Sequence, residues 1–211
     1  MPEPRLVVLI SGRGSNLAAL LAAGLPVVAV LSNHANASGL VLAREHGIAT
    51  DVVPHHEFPD RATFDTAMRE RIDHFNPSLV VLAGYMRILT DGFVQQYHGR
   101  LINIHPSLLP SYPGLHTHAR ALADGVKVHG CTVHFVTPTL DNGPIIIQAA
   151  LPVLPNDTVS SLAERVLHAE HLIYPRAVTW LITRRLVLDT QGKVNLLEND
   201  GVEQSVWLSD H

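Results

Sequence analysis

Short apolar runs alternate with segments of helical periodicity through the first half of the chain. Continuous apolar runs are typical of strands buried on both faces of a sheet, and they occur at residues 5–10, 26–31, 49–53, 79–83 and 101–105. Helix-forming segments lie between them, at residues 17–23, 37–46, 61–75 and 93–97. This order predicts parallel strands joined by helical crossovers.

The second half has a different pattern. Residues 128–136 alternate between the two faces of a strand, and a second apolar run at 145–151 follows the turn sequence Asp141-Asn142-Gly143-Pro144. A long helix is expected over 158–184, with Asp157 or Thr158 as its N-cap and a kink or a break at Pro175. The whole pattern predicts one α/β domain over residues 1–211: a Rossmann-like, mostly parallel twisted sheet with helices on both faces and an antiparallel C-terminal extension.

Ligands of open parallel sheets bind at the carboxyl ends of the strands, so the residues after each strand are of interest. The glycine loop Gly12-Arg13-Gly14-Ser15-Asn16 follows the first strand and opens a helix, where backbone N–H groups favour an anion. Leu17 occupies the third glycine position of the dinucleotide fingerprint, and no Walker sequence follows. The loop therefore fits a single phosphate group, and a tight turn without a ligand is an equally open interpretation.

Polar residues of possible catalytic use lie at the end of the fifth strand and after the first strand of the extension. Asn103 and His105 are two positions apart, so both side chains face one side of the sheet. An Asn donor can stabilise an oxyanion and a His can hold or pass a proton, while Asp141 could orient either the His or a water. A capped strand end and a turn aspartate are the alternative interpretations.

Composition narrows the class of protein. The chain has 211 residues, 46% of them apolar, and a net charge of −4, which excludes a disordered chain and disfavours a broad nucleic-acid-binding surface. It has 14 histidines but a single cysteine, Cys131, which excludes Cys-rich zinc sites. Neither the adjacent histidines His55 and His56 nor His116 and His118 have a third ligand at the spacing of a known site, so no metal is expected. Without a membrane span or a signal peptide, the expected compartment is the cytoplasm.

Five strings of the chain carry a family resemblance. They are ISGRGSNL, VLAGYMRIL, the proline-punctuated NIHPSLLPSYPGLHTH, VHFVTPTLDNGPII and AEHLIYP. Together they closely resemble the folate-dependent phosphoribosylglycinamide formyltransferases of purine synthesis. The resemblance implies transfer of a formyl group from 10-formyltetrahydrofolate to the amine of 5-phosphoribosyl-glycinamide. It also implies a metal-free monomer or homodimer acting on small molecules, with a nucleotide-phosphate-binding half at 1–105 and a folate and catalytic half at 106–211.

The same resemblance implies roles for residues on the nucleotide side. The family's catalytic positions are Asn103, His105 and Asp141. Its phosphate-binding positions are Gly14, Ser15 and Asn16. Glu170 matches an acid that contacts the ribose. Three residues earlier the family usually has Gln or Lys, which helps to hold the phosphate, but here the residue is Leu167. Arg13 or His168 is the replacement we expect for that contact.

On the folate side, Arg61 matches a residue near the glutamate end of the folate. The strand-end segment that lines the folate pocket is Met86, Arg87, Ile88 and Leu89. The peptide bond between Leu109 and Pro110 is expected to be cis.

Three other functions remain open from the sequence. A hydrolase that deformylates 10-formyltetrahydrofolate and a formyltransferase acting on methionyl-tRNA share the Asn-x-His pattern and the later Asp. The tRNA enzyme would need an added basic domain, and the hydrolase has no use for a phosphate loop. A non-catalytic nucleotide-binding module would keep the glycine loop but would not need the three polar residues together.

Overall fold

A computed structural model describes residues 3–189, 191–197 and 204–209 of the chain. The chain forms two compact units, with the boundary between Asn103 and Ile104. The boundary falls inside a strand, so that Asn103 and His105 belong to one strand but to different units.

The first unit is built on parallel strands. The strands are β1 (Leu6–Ile10), β2 (Val27–Ser32), β3 (Ala49–Val52), β4 (Leu79–Leu82) and β5 (Leu101–His105). Parallel pairing joins β1 to β2 and β4, β2 to β3, and β4 to β5. Every residue of β1 has no exposed surface, as a central strand covered on both faces requires. The continuous apolar runs of the sequence are therefore the centre of this unit's core.

Four helices accompany these strands. They are α1 (Ser15–Ala22), α2 (Ser38–Glu45), α3 (Arg61–His74) and α4 (Asp91–Gln96), with a 3-10 turn at His55–Glu57. The α3 helix begins where the Asp60 carboxylate accepts a hydrogen bond from the Thr63 N–H at 2.8 Å, which satisfies a donor of the first turn. It buries Phe64, Met68 and Ile72 at helical spacing, as the sequence predicted.

The second unit contains the antiparallel extension. Strand β6 (Val128–Phe135) pairs antiparallel with β7 (Ile145–Pro152), and β10 (Ser205–Trp207) runs parallel to β7. Strands β8 (Leu186–Leu188) and β9 (Val194–Leu196) form a separate antiparallel pair. The helices are α5 (Thr117–Ala123) and α6 (Val159–Ile182). The α/β fold class is confirmed; α5 and the 3-10 turn are elements that the sequence pattern did not indicate.

The long helix α6 packs against β6 and β7 and has a clear start. The Thr158 hydroxyl accepts from the Ser161 N–H at 3.1 Å, and the Ser161 hydroxyl accepts from the Thr158 N–H at 2.9 Å, which forms a capping box. Pro175 lies inside the helix, which continues to Ile182, so a break at this proline is wrong, while the alternative of a kink stays a prediction. The reason is packing: Tyr174 and Ala177 beside it have no exposed surface, and this burial offsets the hydrogen bond that proline cannot make.

Candidate active site

The glycine loop passes from β1 into α1 through backbone that only glycine accommodates easily. Gly14 has φ +78°, and a Cβ there would lie 2.7 Å from the Gly39 Cα. Gly39, at the start of α2, is constrained less strongly: its Cβ would lie 3.1 Å from the Gly14 Cα and 2.6 Å from the end of the Ile10 side chain. Gly14 has no side chain to cap α1, and the first turn of a helix is where backbone N–H groups favour an anion. Ser15 and the buried Asn16 follow directly.

The segment after β4, residues 86–89, is held by hydrogen bonds to residues that follow β1 and β2. The Met86 N–H donates to the Ser11 hydroxyl at 2.8 Å, and that hydroxyl donates to the Asn33 side chain at 2.6 Å. Met86 is 66% exposed and Ile88 54% exposed, while Leu89 is buried. Exposed apolar side chains on an anchored backbone provide a lining for an aromatic ligand. The sequence did not indicate the Ser11–Asn33 anchor.

Two arginines were predicted for the folate side: Arg87, within this segment, and Arg61, on α3. The Arg87 guanidinium lies over the Phe64 ring at 5.4 Å, a cation–π distance. Arg61 is exposed in the first turn of α3, one helical turn before Phe64.

His105 and Asp141 are brought together within the second unit. The His105 Nδ1 lies 3.4 Å from the Asp141 Oδ2, and both side chains are less than a tenth exposed. The other ring nitrogen, Nε2, lies 2.9 Å from the Tyr112 carbonyl oxygen. A carbonyl and a carboxylate can only accept, so the doubly protonated ring is the form that satisfies both contacts. The arrangement thus suits a positively charged His105.

A backbone N–H of the loop that follows β5 holds the Asp141 carboxylate. The Gly114 N–H donates to the Asp141 Oδ2 at 2.8 Å.

The backbone of this part of the site is unusual. Left-handed φ values between 48° and 58°, which non-glycine residues seldom adopt, occur at Tyr112, His116 and Asp141. The predicted cis peptide between Leu109 and Pro110 is confirmed.

Hydrogen bonds to a β6 residue fix the start of the loop that follows β5. The Leu109 N–H donates to the Thr132 hydroxyl at 3.0 Å, and that hydroxyl donates to the Ser107 carbonyl at 2.7 Å. The loop that presents Tyr112 to His105 is therefore anchored by buried polar contacts.

Three further histidines surround this pair. Burial lowers the pKa of His134, although the neighbouring Asp141 raises it. His118 and His129 lie with Nδ1 and Nε2 3.2 Å apart, and burial lowers the pKa of His129 to about 4. Burial also lowers the pKa of His118. All three rings are therefore neutral near pH 7.

The depressed pKa of His129 makes stability depend on pH. The unfolded chain protonates this ring near its ordinary pKa of 6.5, whereas the folded chain protonates it only near pH 4. Because the unfolded state binds more protons in that window, the stabilisation is complete above pH 6.5 and is lost as the pH falls toward 4. We expect His129 to account for up to about 3 kcal/mol of the fall in the free energy of unfolding.

Urea unfolding at several pH values measures this dependence. A His129→Gln variant should show a shallower fall over the same window, and identical slopes in the variant and the wild type would contradict the assignment.

The remaining predicted residue, Glu170, lies on α6 and is 7% exposed. Burial of Tyr174 raises the pKa of that phenol, and the nearby Glu170 raises it further. Leu167 is half-buried one turn earlier, and His168 is exposed. Asn103 is half-buried on β5, on the same face as His105 because the two are two positions apart on one strand.

The described residues lack two kinds of feature. No group of three or more His, Cys, Asp or Glu side chains among them is arranged to hold a metal ion. No helix in the same part of the chain is long and apolar enough to cross a membrane.

Comparison with known proteins gives consistent matches. Residues 4–178 match the family described as formyl transferase. The phosphoribosylglycinamide formyltransferase of Escherichia coli (strain K12) is 50% identical over 187 residues, which cover 86% of this chain and 88% of that protein. The human trifunctional purine biosynthetic protein adenosine-3 is 45% identical over 198 residues, 91% of this chain but 20% of that protein.

Solved structures agree with these matches. The phosphoribosylglycinamide formyltransferase of Coxiella burnetii superimposes with a TM-score of 0.90 at 45% identity, covering 98% of this chain and 99% of that one. A formyltetrahydrofolate deformylase from Pseudomonas syringae has a TM-score of 0.85 at 29% identity, covering 93% of this chain and 67% of that one.

Proposed function

The chain belongs to the phosphoribosylglycinamide formyltransferases of the formyl transferase family, enzymes of purine biosynthesis, and from that premise we propose how it works. Its formyl donor is 10-formyltetrahydrofolate, and the acceptor is the amine of 5-phosphoribosyl-glycinamide. Asn103, His105 and Asp141 are the catalytic residues. The observation that carries this proposal is the buried contact between His105 and Asp141 at the end of β5, where both ring nitrogens of His105 face acceptors.

The reaction needs no covalent enzyme intermediate. The amine nitrogen attacks the formyl carbon, a C–N bond forms, and the formyl oxygen becomes an oxyanion. The amine then loses a proton, the bond from the formyl carbon to the folate nitrogen breaks, and that nitrogen takes up a proton. The products are the formylated amide and tetrahydrofolate. Holding the two substrates together supplies much of the acceleration.

Asn103 and protonated His105 donate hydrogen bonds to the oxyanion in this mechanism. Each donor is expected to contribute on the order of 10²–10³ in rate. The His105 Nε2–H now donates to the Tyr112 carbonyl, so the ring must exchange that bond for the substrate oxygen. Asp141 balances the positive charge of the ring throughout, or holds the water that relays the proton from the amine to the folate nitrogen.

The two substrates are proposed to use residues of both halves of one formyltransferase domain, 1–105 and 106–211. The phosphate is held by Gly14, Ser15 and Asn16, with Glu170 on the ribose. Arg13 or His168 supplies the contact that Leu167 cannot make. The folate lies along the segment Met86, Arg87, Ile88 and Leu89, with its glutamate end near Arg61. We place the enzyme in the cytoplasm, as a monomer or homodimer that acts on small molecules without a metal.

A single assay tests this function against its rivals. Purified protein is mixed with 10-formyltetrahydrofolate, with and without 5-phosphoribosyl-glycinamide, and the folate absorbance is followed. We expect a change only when the amine is present. A change in water alone would favour the hydrolase, to which the deformylase likeness also points. No change under either condition would favour a nucleotide-binding module.

A further inference from the structure

The Tyr112 carbonyl accepts a hydrogen that the proposed mechanism needs elsewhere. The His105 Nε2 lies 2.9 Å from this carbonyl oxygen, and the mechanism turns the same N–H toward the oxyanion. Tyr112 is half-buried, and a carbonyl that loses its donor in such a place costs about as much as a lost hydrogen bond. A second donor to Tyr112 would remove that cost from the chemical step.

The Ser107 hydroxyl lies between two carbonyl oxygens of the same loop. Its Oγ is 2.6 Å from the Ser111 carbonyl oxygen and 3.2 Å from the Tyr112 carbonyl oxygen. A serine hydroxyl has a single hydrogen, so it donates fully to only one of the two at a time. The shorter distance favours Ser111 in the resting enzyme, where His105 already donates to Tyr112.

Backbone contacts fix the position of Ser107. The residue has no exposed surface, and its N–H donates to the His105 carbonyl at 2.9 Å. Its own carbonyl accepts from the Thr132 hydroxyl at 2.7 Å. The Oγ therefore stays at its place between the two carbonyls, and rotation about the Cβ–Oγ bond is enough to redirect its hydrogen.

We propose that Ser107 is a positioning residue for His105. As the His105 Nε2–H turns to the oxyanion, the Ser107 hydroxyl turns from Ser111 to Tyr112 and supplies the donor that this carbonyl has lost. Ser111 is exposed, so water can take the place of the hydroxyl at its carbonyl. No covalent bond changes at Ser107, and its proton stays on Oγ throughout. The inference rests on the proposed function, since formyl transfer through His105 is what breaks the bond to Tyr112.

Removing the hydroxyl separates the chemical step from substrate binding. In Ser107→Ala, the resting bond between His105 and Tyr112 remains, but no hydroxyl replaces it in the transition state. We expect kcat to fall about tenfold, the effect of one hydrogen bond, with KM for both substrates unchanged. Ser107→Thr keeps a hydroxyl and should recover most of that loss. Wild-type kcat in Ser107→Ala would overturn the proposal.

A serine on α6 provides the matched control. The Ser161 hydroxyl belongs to the capping box, where it accepts from the Thr158 N–H and donates to the Asp157 carboxylate. Ser161→Ala should therefore lower the free energy of unfolding but keep wild-type kcat. If Ser161→Ala and Ser107→Ala lose stability and kcat together, activity simply follows stability, which would overturn the proposal.

A double variant distinguishes positioning from a packing role. In a His105→Ala background, no donor leaves Tyr112 during the reaction, so adding Ser107→Ala should change kcat little. A further tenfold loss in that background would assign the Ser107 hydroxyl to packing and would contradict its coupling to His105.

Neutron diffraction of the deuterium-exchanged wild-type enzyme covers the case in which the variants do not fold. It locates the deuterium on the Ser107 hydroxyl directly. We expect it on the line to the Ser111 carbonyl oxygen in the resting enzyme; a deuterium directed at the Tyr112 carbonyl would overturn the proposal. Absence of formyl transfer by the wild type would refute the proposed function instead, so the two failures are distinguishable.

Discussion

Replacing His105 with alanine is expected to lower kcat on the order of 10²–10³ while leaving nucleotide affinity nearly unchanged. The ring is less than a tenth exposed and makes both of its contacts within the second unit, to Tyr112 and Asp141. Its loss removes a charged donor from the oxyanion but no group proposed to bind the phosphate. Single-turnover formyl transfer measures the chemical step, and calorimetric titration with the nucleotide measures binding.

Alanine at the exposed His98 is the matched control for loss of a histidine. A His105→Ala enzyme that turns over at the wild-type rate would refute the assigned catalytic role. A parallel collapse of nucleotide affinity would instead mean that the ring maintains the structure of the loop that contains Tyr112.

Replacing Asp141 with asparagine is expected to lower kcat by a similar or larger factor. The side chain keeps its shape, and its amide oxygen can still accept from the Gly114 N–H. The neutral amide cannot balance the positive charge of His105, so the protonated ring loses its electrostatic support. The loss in kcat should be greatest at alkaline pH, where the proton for the ring is scarcest.

The kcat profile between pH 6 and 9 for this variant provides the measurement. A double variant with His105→Ala should be little worse than either single variant, because residues that act as a unit give non-additive losses. Fully additive losses would mean that Asp141 acts independently of His105, for example by holding the relay water alone.

Sequence patterns were sufficient for the main strands. The continuous apolar runs are the buried parallel strands, and the Asn-x-His spacing put two polar side chains on one face of β5. The N-cap at Thr158 was also readable, because capping is a local interaction. The helix does not break at Pro175, since the packing of α6 against β6 and β7 outweighs one missing hydrogen bond.

Other parts of the site could not be read from the sequence. Gly39 is needed because a second glycine, Gly14, passes against it, and nothing in the spacing of the two indicates that approach. Ser11 and Asn33 anchor Met86 across strand ends that are far apart in the chain. Such contacts depend on which strands become neighbours, which local patterning does not specify.

The sequence by itself determined the α/β class, the family, and the residue types available for formyl transfer. Only the tertiary structure decided which atoms face Asp141. It placed the Gly114 N–H and His105 on Oδ2 and His134 on Oδ1, and it set the proton position on His134 through the Phe135 carbonyl. The reason is physical: a residue type defines a capacity to donate or accept, but in a buried site the folded backbone selects the partner that uses that capacity.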